Sequence, residues 1–145
     1  AQLLYQSEFL FADLMEETGI SRLHTLLELH TPPAEATARI APAAPLGSKS
    51  IDILLINTVI PYKYAYALAR EDTHGAEQAL LLLQHIAPED NTIIRQWKLL
   101  GQSIRNAADT QALIHLFQNY CQPHRCIHCE VGHLVFERPH LAMQP

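Results

Sequence analysis

The chain has 145 residues, of which 48% are hydrophobic and 17% are charged, so it is long enough for one domain with a buried core and too apolar to be disordered. Its formal net charge of -5 argues against broad attraction to nucleic acid or anionic lipid, although its ten Lys and Arg residues are enough for a local basic patch. The longest apolar run, from Ile51 to Ile60, is much shorter than the ~20 residues that a membrane span needs. We therefore expect neither a membrane segment nor a secretion signal.

Two helices are predicted near the N-terminus. Apolar residues between positions 3 and 18 recur with helical spacing, and Gly19 follows as a helix stop. Ser21 is expected to cap a second helix that continues to about His30. From residue 31 to residue 47 the composition changes to Pro and Ala, which predicts an irregular connector.

The segment after the connector is an apolar run that begins at Ser48 or Ser50. Periodicity alone does not distinguish a buried strand from a buried helix here, but no second strand candidate exists to pair with it. Because a proline cannot donate the helical hydrogen bond, we predict two helical pieces that meet at Pro61, the second continuing to Arg70.

Two more helices are predicted from capping residues and apolar faces. Thr73 is expected to cap the first of them, which Pro88 terminates. Asp90 or Asn91 is expected to cap the next, which ends before Gly101.

A last helix is predicted behind Asn106 and Asp109, which resemble a capping box. Its apolar face continues directly into Cys121. The fold class we predict is all-α: one compact multi-helix domain over residues 1–145 with a C-terminal Cys-rich loop at residues 121–133.

The only three cysteines of the chain lie within nine residues, in the pattern C-x4-C-x2-C formed by Cys121, Cys126 and Cys129. Clustered thiols indicate a shared metal, because anionic sulfur is a preferred ligand of zinc and of iron–sulfur clusters. The alternative is three reduced thiols, or a Cys126–Cys129 disulfide, in a structural loop. An odd number of cysteines in one cluster fits a reducing compartment, so we expect a cytoplasmic protein.

A closed tetrahedral zinc site needs a fourth ligand, and nearby histidines are candidates. His133 is preferred because it follows Cys129 by four residues and Gly132 would allow the chain to turn back, while His124 is the second choice. The cysteine spacing also matches three ligands of a plant-type ferredoxin cluster, but the chain has no remote fourth cysteine. A closed zinc site is structural, and the adjacent Glu130 alone does not indicate a catalytic one, so we do not expect an enzyme.

Basic and aromatic side chains supply the remaining candidate sites. Four basic residues near the cysteines are candidate phosphate ligands, with a solvated surface as the alternative: Arg95, Lys98, Arg105 and Arg125. Tyr62, Tyr64 and Tyr66 with Lys63 have the composition of a base-stacking surface, but packing at the edge of the core is the favoured interpretation.

The run from Leu46 to Pro61, LGSKSIDILLINTVIP, is similar to one in the uncharacterised bacterial domain-of-unknown-function family 2851 (DUF2851). The run from Asn106 to Ile114, followed by Tyr120, the three cysteines and Gly132, resembles the same family. The resemblance extends from about residue 3 to residue 136 and is strongest at 46–62 and 90–132. Members are longer, which implies that this chain is the C-terminal portion of such a protein, and the family carries no established activity.

Two departures from the family pattern bear on the site. The Pro- and Ala-rich stretch from Thr31 to Pro45 replaces a segment with aromatic residues and histidine, and a His133 ligand would be peculiar to this chain. A second, weaker likeness, to the helix-hairpin-helix DNA glycosylases, covers only the cysteine loop, because the fourth cysteine and the hairpin are absent.

The preferred function is therefore a non-catalytic helical domain with a structural metal-binding Cys loop. It would serve contacts with the N-terminal region of the same longer protein or with another protein. The alternative is a nucleic-acid-binding or DNA-repair-like helical module with a Cys-ligated iron–sulfur or zinc loop. A third hypothesis, an enzyme with an open metal site, requires a polar pocket at the cysteines.

Overall fold

The computed structural model describes residues 10–29 and 46–137, and this part of the chain is helical with no β-strand. The all-α prediction is therefore confirmed for the described residues. The predicted connector at residues 31–47 lies outside them except for Leu46 and Gly47. None of the described helices has the length and apolarity needed to cross a lipid bilayer.

The α-helices of the described residues are numbered along the chain. In chain order they are α1 (residues 10–16), α2 (Ile20–Leu29), α3 (Ser48–Leu54), α4 (Ile60–Ala69), α5 (Thr73–Leu82), α6 (Thr92–Leu99), α7 (Ala107–Leu116) and α8 (Glu130–Glu137). Turns of π-helix occupy Leu55–Val59 and Phe117–Cys121, and 3₁₀ turns occupy Leu83–His85 and Cys126–His128.

The chain forms two compact units. The first contains the residues up to Ala87 together with Asn106–Ala108, and the second contains Pro88–Arg105 and the residues from Asp109 onward. A single domain over residues 1–145 stays a prediction.

Helices α1 and α2 differ from the prediction at their junction. Helix α1 ends at residue 16, before Gly19, because the Glu17 carboxylate accepts hydrogen bonds from the N–H groups of Thr18 (3.0 Å) and Gly19 (2.8 Å). The Gly19 carbonyl accepts from the Leu23 N–H at 3.1 Å and so closes the first turn of α2. Ser21 lies inside α2, and the prediction that it caps this helix is wrong.

Two helical pieces, α3 and α4, meet next to Pro61, as predicted. The π-helical turn Leu55–Val59 joins them, so the backbone stays helical from Ser48 to Ala69. Pro61 itself occupies the first turn of α4, where a missing N–H costs least. A π-turn is wider than an α-turn, so it gives the proline ring room that a regular α-helix would deny.

The core of the first unit explains why this widened turn is stable. Three of its five residues are buried, and apolar burial stabilises by roughly 25 cal/mol per Å². The buried apolar cluster comprises Leu23, Ile51, Leu55, Ile56, Val59, Ile60, Leu82, Ile86 and Ala107.

Lys63 of α4 is buried, with 7% of its surface exposed, and links α4 to α1. Its ammonium donates to the carbonyls of Leu14 (2.7 Å) and Met15 (2.6 Å), which belong to the last turn of α1 and so lack helical partners. Burial lowers the pKa of Lys63, and the Glu17 carboxylate partly opposes this shift. Lys63 is therefore a structural link between two helices.

Tyr62 and Tyr66 of α4 also pack against a side chain of α1. The ring of Phe11 meets the rings of Tyr62 and Tyr66 edge to face, with centroids 5.7 and 6.0 Å apart. This geometry agrees with packing at the edge of the core, the interpretation favoured from the sequence.

Replacing Lys63 tests the link between α1 and α4. Lys63→Met keeps the apolar stem but removes the donor to two carbonyls, so we expect a loss of about 1–3 kcal/mol in the free energy of unfolding, measured by urea denaturation. The control, Lys49→Met, changes an exposed lysine and should stay within about 0.5 kcal/mol of the parent chain. Equal stability of the two variants would contradict the assignment.

A side chain caps the N-terminus of α5 and of α6, and one of the two caps differs from the prediction. The Asp72 carboxylate accepts from the Gly75 N–H at 2.9 Å, so Asp72 caps α5 and the prediction of Thr73 is wrong by one residue. The Asn91 side chain accepts from the Ile94 N–H at 3.0 Å, which confirms Asn91 as the cap of α6. In the second unit the Glu89 carboxylate also accepts from the hydroxyl of Thr110 at 3.2 Å.

Gly101 ends α6 as predicted, with φ of 82°. The N–H of Gly101 donates to the Lys98 carbonyl (3.0 Å), and the N–H of Gln102 donates to the Trp97 carbonyl (3.1 Å). This pair of bonds is the Schellman motif, which favours glycine because its middle residue is left-handed.

The corrected cap of α5 has a matched test. Asp72→Ala should lower the free energy of unfolding by about 1 kcal/mol, since it leaves a helix-terminal N–H unpaired, whereas Thr73→Ala should change it by less than half as much. Thermal denaturation followed by circular dichroism measures both. A larger loss for Thr73→Ala would restore Thr73 as the cap.

Candidate functional site

Helix α7 leads into the cysteine segment through a π-helical turn. The turn Phe117–Cys121 ends at Cys121, and the Gln122 N–H donates to the Phe117 carbonyl at 2.8 Å. Cys121 is thus held at the end of a continuous helical backbone, as the apolar face of this helix predicted.

The chain reverses between Cys121 and Cys126. His124 has a left-handed backbone (φ 55°), its N–H donates to the Cys121 carbonyl (3.1 Å), and the Arg125 N–H donates to the Tyr120 carbonyl (2.8 Å). A 3₁₀ turn over Cys126–His128 follows, closed by a bond from the Cys129 N–H to the Cys126 carbonyl (3.2 Å). The segment predicted as a loop at 121–133 is therefore largely helical, with α8 beginning at Glu130.

The three thiols differ in exposure. Cys129 is buried, Cys121 is half-buried and Cys126 is exposed, and all three are free, so the disulfide alternative does not form. Burial raises the pKa of the Cys121 thiol, and the negative charges of the Cys129 and Cys126 thiolates raise it further.

The structure does not assemble a finished ligand set around these thiols. Within residues 10–29 and 46–137, no group of three or more His, Cys, Asp or Glu side chains is arranged to hold a metal ion. Cys121, Cys126, Cys129 and His133 are thus near in the chain without forming a closed coordination sphere. Their role as ligands stays a prediction.

The candidate fourth ligands lie on either side of the turn. His133 is exposed on α8, and its N–H donates to the Cys129 carbonyl at 2.8 Å, which places it one helical turn after Cys129. His124 is exposed at the reversal of the chain. Gly132 does not turn the chain back, because it lies inside α8.

Gly132 has a different role, which the sequence did not reveal. A Cβ atom at this position would lie 2.1 Å from the carbonyl oxygen of Cys126. Only glycine lets α8 pack this closely on the 3₁₀ turn, and any side chain would force the two apart. The close approach fixes the backbone around Cys126 and Cys129.

The four predicted phosphate ligands differ in whether a carboxylate holds them. Arg95 donates to both carboxylate oxygens of Asp90 (2.8 and 3.0 Å), and Arg105 donates to both of Asp109 (3.0 and 3.3 Å). These carboxylates raise the pKa of each guanidinium, and Arg105 lowers the pKa of Asp109. Lys98 is exposed, and Arg125 lines a separate surface cleft.

Substitution of Gly132 tests the close approach. Gly132→Ala should force α8 away from the 3₁₀ turn, and we expect the buried Cys129 thiol to react with a thiol reagent faster by on the order of tenfold, since such overpacking costs about 1–3 kcal/mol. The rate of reaction at each cysteine is measured on metal-free protein with a colorimetric disulfide reagent, followed by peptide mass mapping. Gly47→Ala is the control, because its Cβ would have no neighbour within 4 Å. An unchanged Cys129 rate would contradict the constraint.

The comparisons with known proteins concern mainly the first unit. A family described as "Protein of unknown function (DUF2851)" matches residues 1–92, which includes the run from Leu46 to Pro61. The resemblance expected between residues 93 and 136 lies beyond this match. No curated protein and no solved structure matches the chain. Because the match covers more than half of its residues, the chain belongs to the DUF2851 family.

Proposed function

We propose that the chain is a non-catalytic helical domain whose C-terminal cysteines bind a structural zinc ion. The observation that carries the proposal is the local backbone geometry. Cys121 ends a π-helical turn, and Cys126 begins the 3₁₀ turn that Cys129 directly follows, so one short segment presents all three thiols. Three thiolates leave one position of a tetrahedral zinc site for a histidine.

The segment needs such an ion because it has little apolar core of its own. Among the side chains described after Cys121, Cys129 is the only buried one. The nearby apolar residues Ile127, Leu134 and Phe136 are 66%, 55% and 67% exposed. A metal stabilises a small segment of this kind, because the free energy of ion binding adds to that of folding.

His133 remains the preferred fourth ligand. Residues four apart on a helix are neighbours, and the bond from the His133 N–H to the Cys129 carbonyl places the two residues one turn apart. Binding requires the sulfurs to draw together, and the exposed Cys126 has the most freedom to do so. His124 is the second choice, on the opposite side of the turn.

Free thiols in a tight cluster fit a reducing environment, so we place the protein in the cytoplasm. The domain would serve contacts with the N-terminal region of a longer protein or with another protein. Exposed apolar side chains of the second unit support this role: Leu99 is 87% exposed and Leu100 is 78% exposed.

The alternative function is a nucleic-acid-binding or DNA-repair-like module that binds phosphate through all four basic residues. It has less support. Arg95 and Arg105 are each paired with a carboxylate, so two of its four phosphate ligands are already engaged. An iron–sulfur cluster in the same loop would still need a fourth ligand other than cysteine.

Elemental analysis with a visible absorption spectrum tests the proposal on freshly purified, untagged protein. We expect one zinc per chain and no colour. Cys121→Ser, Cys126→Ser and Cys129→Ser should each lower the zinc content or weaken its retention against a chelator by at least tenfold, because each removes a thiolate ligand. His115→Ala is the matched control, a histidine outside the proposed ligand set, and should retain zinc.

Two further outcomes decide the remaining ligand and the alternative. Loss of zinc in His133→Ala but not in His124→Ala would assign the fourth ligand, and the reverse would assign His124. Brown protein that contains iron would support the cluster instead. Protein without any metal, when handled under reducing and chelator-free conditions, would overturn the proposal.

A further inference from the structure

We propose that a cleft in the second unit binds the phosphate group of a nucleotide, free or within single-stranded nucleic acid. The cleft has a volume of about 570 Å³ and is lined by His115, Asn119, Tyr120, Arg125 and His128. This volume lies in the range of small-molecule sites, roughly 300–1,000 Å³. The inference concerns different side chains from the proposed zinc ligands, although it depends on the same ordered turn.

The chemistry of the lining favours an anion. It combines one guanidinium, two imidazoles, an amide and a phenol, and no carboxylate belongs to it. Among the described residues Arg125 forms no ion pair, in contrast to Arg95 and Arg105, which are each held by an aspartate. A guanidinium with free donors is suited to a phosphate, because its planar fork matches two phosphate oxygens.

Backbone contacts hold the lining residues in place. The Arg125 N–H donates to the Tyr120 carbonyl (2.8 Å), and the His128 N–H donates to the Arg125 carbonyl (3.0 Å). On the other wall, the Asn119 side chain donates to the His115 carbonyl at 3.0 Å. The backbone of the cleft is therefore built on helical turns, so binding would order mainly its exposed side chains.

Aromatic rings point to a nucleotide as the source of the phosphate. The rings of His115 and Tyr120 meet edge to face, with centroids 6.3 Å apart, beside the basic groups. Aromatic side chains next to a guanidinium are the combination that stacks bases while it binds the backbone. The negative net charge of the chain makes this a local site and not a broad electrostatic surface.

Fluorescence anisotropy with a labelled 12-nucleotide oligothymidine tests the inference, with unlabelled thymidine monophosphate and inorganic phosphate as competitors. We expect Arg125→Gln to weaken oligonucleotide binding by on the order of tenfold and to reduce the slope of log K against log salt by about 1. Arg95→Gln removes the same charge from a residue paired with Asp90 and should change binding less than about twofold. Equal effects of the two variants would overturn the inference.

A second variant and a metal assay separate this inference from the zinc proposal. His115→Gln changes the cleft on α7, away from the cysteine turn, and should also weaken binding if the cleft is the site. Zinc content is measured for every variant. Protein that contains zinc but does not bind the oligonucleotide would overturn only the proposed nucleotide cleft. Protein that binds the oligonucleotide but contains no zinc would overturn only the metal proposal. Displacement of the bound oligonucleotide by the monophosphate but not by an equal concentration of inorganic phosphate would support a nucleotide site. Equal displacement by inorganic phosphate would overturn the role of the base, and an oligonucleotide that does not bind would reject the inference.

Discussion

The contact between the Gly132 backbone and the Cys126 carbonyl constrains the turn between Cys126 and Cys129. Because residue 132 has no side chain, α8 lies directly against the 3₁₀ turn, and Cys129, which joins these two elements, is buried. The same turn carries His128, whose N–H donates to the Arg125 carbonyl. The missing methyl group at residue 132 thus lets the backbone that carries Cys126, His128 and Cys129 keep its position against α8.

Charge on the clustered cysteines carries an electrostatic cost. Burial disfavours the charged form of Cys121, and negative charge on Cys129 and Cys126 disfavours it further, so the pKa of Cys121 is raised. An ion that neutralises thiolates offsets a cost of this kind, and its binding free energy adds to that of folding. The zinc proposal is therefore compatible with the raised pKa of Cys121.

Local signals in the sequence predict most of the helices but not every capping residue or the contacts between helices. Gly101 and one of the two candidate caps of α6, Asn91, are confirmed because each acts through its own side chain or backbone within three residues. Asp72 and Thr73 are both able to cap a helix, and only the observed backbone decides between them. The burial of Lys63 depends on carbonyls 48 and 49 residues away in the chain, which no local periodicity contains. The π-helical turn before Pro61 likewise depends on a core drawn from several helices.

For the site, the sequence predicts candidate ligands, whose role stays a prediction, but not the separation of the basic residues into paired and unpaired groups. That separation has no local signal: Arg105 lies four residues before Asp109 and Arg95 lies five after Asp90, but Glu130 also lies five after Arg125 and the two form no ion pair in the described part of the chain. Spacing alone therefore does not distinguish a guanidinium that is held by a carboxylate from one that is open to a ligand. Both the cysteines and Arg125 follow residue 92, where the family match ends, so their function has to be argued from these side chains and not from family membership.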